Sequence, residues 1–167
     1  MSKPVVYLSG PDRLKADAAE RLAAAKALVE QYGFALAELP AENLCHKADA
    51  KMLAEARMAA MDSCDLVIAD TRDFRGPEPF AGSGFDLGYA YGKEKKLYCY
   101  MPDARPCGDR YTGPTTTNEQ GRKVDMNGFG FEGGPLNLML NAPSVIVEGS
   151  LEDALKAAAK DFFGEEK

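Results

Sequence analysis

A chain of 167 residues with 46% hydrophobic and 28% charged residues can bury one substantial core, and this composition excludes a disordered chain. The formal net charge of −6 excludes a sequence-independent grip on nucleic acid and attraction to an anionic membrane surface. No apolar run approaches the roughly 18 residues that a membrane-spanning helix needs. Met1-Ser2-Lys3-Pro4 leads directly into a strand-like run with no secretory signal, so a cytoplasmic protein is expected. Its partner is then a small ligand or another protein.

Val5 to Ser9 reads as a short strand ended by the turn signal Gly10-Pro11. Alanine, leucine and charges then recur with helical spacing from about Ala16 to Tyr32, and Gly33 is placed to end that helix. Phe34 to Leu39 reads as a second strand, stopped by Pro40, and a second helix runs from about Ala48 to Asp62. Leu66-Val67-Ile68-Ala69 is a continuous apolar run, the mark of a strand buried on both faces. A loop containing Arg75-Gly76-Pro77 leads to a helix from about Ser83 to Glu94, and Leu97 to Met101 is a fourth strand.

Residues 102–135 are rich in Gly, Pro, Thr and Asn and read as a long loop, a candidate lid or a flexible surface insertion. Val145-Ile146-Val147 is a fifth strand, and Ser150 with Asp153 resembles a capping box opening a last helix through about Phe163. This alternation implies an α/β protein, a flavodoxin-like doubly wound five-stranded parallel sheet of order 2-1-3-4-5 with helices on both faces. Residues 1–167 are expected to form a single domain. Cys64 and Cys99 lie in apolar runs and read as core thiols, and no two of the four cysteines form a CxxC pair. His46 beside Cys45 lacks the partners of a metal site.

Ligands of such sheets bind beyond the carboxyl ends of the strands, where the strand order reverses. That crevice is bordered by Ser9-Gly10-Pro11-Asp12 after the first strand and by Asp70 to Gly76 after the third. Gly82-Ser83-Gly84 opens a helix and offers backbone N–H groups to an anion or a sugar hydroxyl. Gly88 inside that helix is unfavourable by about 1 kcal/mol relative to alanine, which points to close packing or ligand approach there. Asp86 falls in the expected first turn, flanked by Phe85 and Leu87, which are expected to pack, and it is either a carboxylate stabilised by the helix N-terminus or a catalytic group.

Gly82-Ser83-Gly84-Phe85-Asp86-Leu87-Gly88-Tyr89-Ala90 resembles the signature G-(T/L)-(A/G)-(F/M)-E-(L/I/V)-G-Y-A of the nucleoside 2-deoxyribosyltransferase family. Val6 to Pro11, Asp65 to Asp70 with Phe74 to Pro79, and Gly130-Phe131 with Pro135 to Met139 are similar to three further segments of that family, in the same order. The resemblance implies exchange of the base of a 2′-deoxyribonucleoside through a covalent deoxyribosyl-enzyme, by the double displacement of retaining glycosidases. Asp86 then holds the nucleophile position, and Tyr7 matches a tyrosine that orients the carboxylate. Asn137 and Met139 match a pair supplied to the sugar site by a neighbouring subunit, which implies a homo-oligomer with a shared site. Ser9, Gly10, Asp70, Arg75, Phe80, Gly82 and Ser83 complete the expected substrate-binding set. A deoxynucleoside and a free nucleobase are the implied partners, and no metal, flavin or nicotinamide cofactor is implied. Without the resemblance, Tyr7 also reads as a buried strand aromatic, Asn137 as a helix cap and Met139 as a core residue.

Two positions depart from the family pattern. The nucleophile is an aspartate where the family has glutamate, one methylene shorter, and a displacement near 1 Å matters when the attacking atom must lie ~3–3.5 Å from carbon. Six residues earlier, where the family has an aspartate that handles the proton of the departing base, stands Phe80, with Glu78 the nearest substitute acid and Asp73 the next. Arg57 stands where many relatives carry a sugar-contacting aspartate or asparagine. Three functions remain open: a transferase, an N-glycoside hydrolase of deoxynucleosides or their 5′-monophosphates (with Ser9, Arg57 and Arg75 serving the phosphate), and a non-catalytic nucleotide-binding homologue.

Overall fold

The computed structural model describes residues 2–39 and 50–164. Five parallel strands, β1 (Val5–Ser9), β2 (Ala35–Leu36), β3 (Leu66–Asp70), β4 (Lys96–Met101) and β7 (Val145–Glu148), form one sheet in the order β2-β1-β3-β4-β7. With β7 as the fifth strand of the main sheet, this is the expected flavodoxin-like order. Among the described residues six α-helices accompany it: α1 (Ala18–Gln31), α2 (Ala50–Ser63), α3 (Ala81–Gly92), α4 (Cys107–Arg110), α5 (Leu138–Asn141) and α6 (Leu151–Phe163).

Alternation along the strands splits the core in two. Val6, Leu66, Ile68 and Tyr98 point to one face and pack with Val29 of α1 and Ala154, Leu155 and Ala158 of α6. Tyr7, Val67, Ala69 and Cys99 point to the other, against Met61 of α2, Leu87 and Ala90 of α3 and Leu140 of α5. Every residue of β3 is buried, as a central strand covered on both sides requires. Cys64, Cys99 and Cys107 are buried free thiols; Cys45 and His46 lie outside the described residues. Ser150 and Asp153 form the expected capping box of α6. Among the described residues no helix is long and apolar enough to cross a membrane.

Several expectations need correction. The second strand is only Ala35–Leu36, paired with Val5 and Val6, and the bond from Ala37 N–H to Val6 O at 2.8 Å closes its contact with β1. Helix α3 starts at Ala81 rather than Ser83 and stops at Gly92, where Lys93 caps it and Glu94 turns left-handed at φ 57°. Asp86 therefore sits in the second turn, where the helix-end field is weaker. Phe85, expected to pack, is exposed, while Leu87 is buried. Of the two readings of Gly88, close packing within the chain is not seen, since nothing lies within 4 Å of a Cβ built there, and ligand approach is the reading that stands open.

Residues 102–135 are not structureless. They carry α4 and an antiparallel hairpin of β5 (Thr115–Thr117) and β6 (Lys123–Asp125). The segment is tied down at both ends. Buried Arg110 pairs with Asp73 and donates to the carbonyl oxygens of Arg105 and Pro135, while Cys107 N–H donates to Gly134 O at 2.9 Å. Lys123 Nζ reaches Gly108 O at 2.6 Å, and the Tyr111 and Phe131 rings meet at 5.1 Å. Desolvation lowers the Arg110 pKa, the expected direction for a buried cation.

Candidate active site

The parallel pairing of β1 with β3, with Ser9 opposite Ala69, brings Ser9 and Asp70 side by side at the carboxyl edge of the sheet. Helix α3 crosses above them and lowers Asp86 toward the end of β1. Ser9 Oγ donates to Asp86 Oδ2 at 2.7 Å, and Tyr7, two residues earlier on the same face, donates from its hydroxyl to that oxygen at 3.4 Å. Arg13 Nη1 lies 3.5 Å from the same atom. Asp86 is 3% exposed, and all three of its partners among the described residues meet Oδ2, which leaves Oδ1 uncommitted.

Ser83, fully buried, carries the network inward: its hydroxyl lies 3.3 Å from Ser9 Oγ and 3.5 Å from the Asp70 carbonyl oxygen. The Tyr7 hydroxyl is pushed well above its ordinary range, first by burial and then by the Asp86 charge, with Arg13 and Arg57 opposing. At neutral pH it is therefore a proton donor to the carboxylate. The protonated phenol and the serine hydroxyl fix one carboxylate oxygen, and a fixed carboxylate with a free second oxygen suits nucleophilic attack.

Two glycines are required by close approach. A Cβ on Gly10 would lie 2.8 Å from Asp70 Cβ. One on Gly82 would lie 2.4 Å from Phe80 Cε1 and 2.5 Å from Arg13 Nη2. The Phe80 ring, at the N-cap of α3, packs edge-on to Phe74 at 5.2 Å and has the Arg13 guanidinium 5.0 Å above it.

Of the other side chains singled out in the sequence, none is bonded to Asp86 among the described residues, and Arg57 lies near enough to Tyr7 to oppose the rise of its pKa. Asp70 turns its carboxylate to Arg72, whose Nε donates at 2.7 Å. Arg75 is exposed, left-handed at φ 60°, with its guanidinium 4.9 Å over the Phe74 ring. Glu78 is exposed and its carboxylate meets Cys107 Sγ at 3.5 Å, a contact that, after burial, pushes the thiol up to about 11. Asp73 is engaged by Arg110. Neither acid is bonded to Asp86, Tyr7 or Ser9. Asn137 Oδ1 accepts from Leu140 N–H at 3.2 Å, so this side chain caps α5, and Met139 is 78% exposed rather than a core residue. No group of three His, Cys, Asp or Glu that would hold a metal is assembled among the described residues.

The model of the nucleoside 2-deoxyribosyltransferase family matches residues 6–139. The chain belongs to that family. Among solved structures, a 2-deoxyribosyltransferase from Leishmania mexicana is 26% identical and superposes with a TM-score of 0.78, over 96% of this chain and 99% of that one. A conserved protein from Enterococcus faecalis V583 shares the fold at 18% identity and a TM-score of 0.59, over 96% of this chain and 100% of that one. No curated protein matches the sequence. Family membership supports a deoxyribosyltransferase or related N-glycosidase, and the superposition supports the α/β fold with the strand order above.

Sequence reasoning missed Arg13. Its place after Gly10-Pro11 at the end of β1 was the available signal, but only the short 3-10 turn Pro11–Leu14 turns its side chain back over α3.

Proposed function

We propose that this member of the nucleoside 2-deoxyribosyltransferase family exchanges the base of 2′-deoxyribonucleosides through a covalent deoxyribosyl-enzyme on Asp86. The observation that carries the reading is the one-sided grip on the carboxylate. Tyr7, Ser9 and Arg13 all hold Oδ2, so Oδ1 is the oxygen that attacks the anomeric carbon. As the C1′–Oδ1 bond forms, the glycosidic electron pair leaves with the base. A second base then attacks C1′ from the vacated side and restores the carboxylate. Ser83, Gly10 and Gly82 shape the wall beside the sugar, and Phe80 offers its ring to the base.

The site draws on a second copy of the chain. Phe85 of α3 is 59% exposed, and Leu138 and Met139 of α5 are 62% and 78% exposed, on two helices that pack together. Exposed large apolar side chains on neighbouring helices support an interface between copies. A homo-oligomer in which α5 of one copy completes the sugar site of another uses both Met139 and the free amide nitrogen of Asn137.

A second reading is hydrolysis of deoxynucleoside 5′-monophosphates. Arg57, on α2, is near enough to oppose the rise in the Tyr7 pKa and has no ion-pair partner among the described residues. A 5′-phosphate supplies the missing counter-ion.

Intact-protein mass spectrometry after mixing with deoxynucleosides, followed by peptide mapping, tests the main reading. The expected result is one deoxyribosyl unit on the peptide containing Asp86, discharged when a second base is added. Release of deoxyribose or its 5′-phosphate despite excess acceptor base favours the hydrolase. Tight ligand binding with no adduct and no released base makes the chain a binding protein.

A further inference from the structure

We propose that Arg13 is the group that receives the departing base, stabilising it as an anion where Phe80 leaves no proton donor. This inference rests on the glycosyl-transfer reading above and goes beyond it. Arg13 Nη1 lies 3.5 Å from Asp86 Oδ2, and its guanidinium stands 5.0 Å from the Phe80 ring. The cation therefore bridges the nucleophile and the residue in the proton-donor position. Glycine at 82 keeps that space open, since a Cβ there would run into both Phe80 and Arg13. Asp12, beside Arg13 in the chain, is already engaged by Lys15, Arg21 and Arg72, and Asp86 is the one carboxylate paired with Arg13 among the described residues.

Charge balance then gives Arg13 its role. Before reaction its positive charge is matched by the Asp86 carboxylate. When Oδ1 bonds to C1′ the carboxylate becomes a neutral ester, and the glycosidic electron pair passes to the base. One negative charge has moved from Asp86 to the base, across the anomeric carbon, and ester formation leaves the Arg13 cation without the charge it had matched. The guanidinium faces the base's ring nitrogen or carbonyl oxygen, and water later supplies the proton. The Phe80 ring supports the cation from below, and interactions of this kind strengthen when water is excluded. Arg13 is 23% exposed at its side chain, so the guanidinium is not sealed away from the crevice.

The test compares substrates that differ in how much the departing base needs its negative charge stabilised. One pair is 2′-deoxyguanosine and its N7-methyl derivative, whose base leaves neutral. The other is 2′-deoxyuridine and its 5-nitro derivative, whose base leaves as a much weaker base. Single-turnover base release is measured for wild-type protein, Arg13→Gln and Arg13→Lys. Arg13→Gln is expected to slow the parent compound about 10²-fold or more, the usual effect of removing a charge-stabilising donor. It should slow the activated partner less than 10-fold, and Arg13→Lys should recover part of the difference. Equal losses on parent and activated substrates, or no loss on either, overturn the role of Arg13. Wild-type protein that releases base from no member of either pair overturns the glycosyl-transfer reading and this inference with it.

Discussion

Ser9 Oγ sits 2.7 Å from Asp86 Oδ2, whereas the Tyr7 hydroxyl reaches the same oxygen at only 3.4 Å. The shorter carboxylate is held mainly by the serine at the end of β1, with the tyrosine a looser second donor. A hydrogen bond to a charged group is worth about 1.5–3 kcal/mol, so loss of the serine hydroxyl costs more than loss of the phenol. Ser9→Ala is expected to lower kcat about 10- to 100-fold with little change in KM, and Tyr7→Phe to lower it less. Steady-state kinetics on both variants checks the order. A larger loss from Tyr7→Phe would reverse this assignment.

The same geometry makes a prediction for the departure at the nucleophile. Asp86→Ala should abolish adduct formation and turnover while leaving the circular dichroism spectrum intact. Asp86→Glu adds one carbon–carbon bond, about 1.5 Å, in the direction already filled by the Ser9 hydroxyl. Glutamate alone is therefore expected to be at least 10-fold slower than aspartate, and the double change Asp86→Glu with Ser9→Ala to recover activity by opening that space. A double-mutant cycle on single-turnover rates measures the coupling, and additive effects would show that Ser9 does not limit the carboxylate's length.

The elements that bury a regular pattern were readable in the sequence. Leu66 to Ala69 is apolar throughout and is the central strand, and Ser150 with Asp153 closes the capping box on α6. Asp86 was readable as a carboxylate near a helix start, but not its turn, because Ala81 and Gly82 extend α3 by a signal too weak to see beside the glycines. The hairpin in 102–135 was hidden because Thr115–Thr117 is exposed on both faces and has no alternation to detect. What holds it is a few long-range polar ties, above all Arg110 to Asp73 and Pro135, and those depend on contacts across 25 residues or more. Arg13 was hidden for the same reason: its partner is 73 residues away, and the direction of one turn decides it.

Asn137 has two duties that can be separated. Its Oδ1 caps α5 through Leu140 N–H, while its amide nitrogen is available to a second subunit. Asn137→Ala should lower stability by about 0.5–2 kcal/mol through loss of the cap. Asn137→Asp keeps an accepting oxygen, so thermal unfolding should stay near wild type while transferase activity drops. Equal activity in Asn137→Asp and wild type would restrict the residue to capping. Met139→Glu places a charge on the exposed apolar face and is expected to shift sedimentation toward a smaller species with lower activity.

Arg110 anchors the hairpin segment to the loop that precedes α3. Removing it leaves the carbonyl groups of Arg105 and Pro135 without this donor and Asp73 without its cation. Arg110→Ala is expected to speed amide hydrogen exchange throughout β5, β6 and α4 by about 10-fold or more, with little change in β3 or α6. Global acceleration in the central strand would mean that the segment is part of the main cooperative unit rather than a locally tethered one.

Alkaline stability follows from three tyrosines whose pKa values are raised above the ordinary 10.0, chiefly by burial: Tyr7, Tyr98 and Tyr100. A group whose folded pKa is raised contributes stability that is complete below its unfolded pKa and is lost as pH climbs through the folded value. The thiols of Cys99 and Cys107, raised from 9.0 to about 11 mainly by burial, act in the same direction one unit earlier. Stability measured by denaturant unfolding under reducing conditions should therefore hold steady from pH 7 to 9. It should then decline between 9 and 10 as unfolded-state thiols ionise and steepen above 10, each tyrosine adding at most about 1.4 kcal/mol per pH unit. Tyr98→Phe also removes the 2.7 Å hydrogen bond to Asp161, so the variant is less stable at pH 7 but falls less steeply above pH 10. An unchanged slope above pH 10 in that variant would show that the Tyr98 hydroxyl does not resist ionisation in the folded protein.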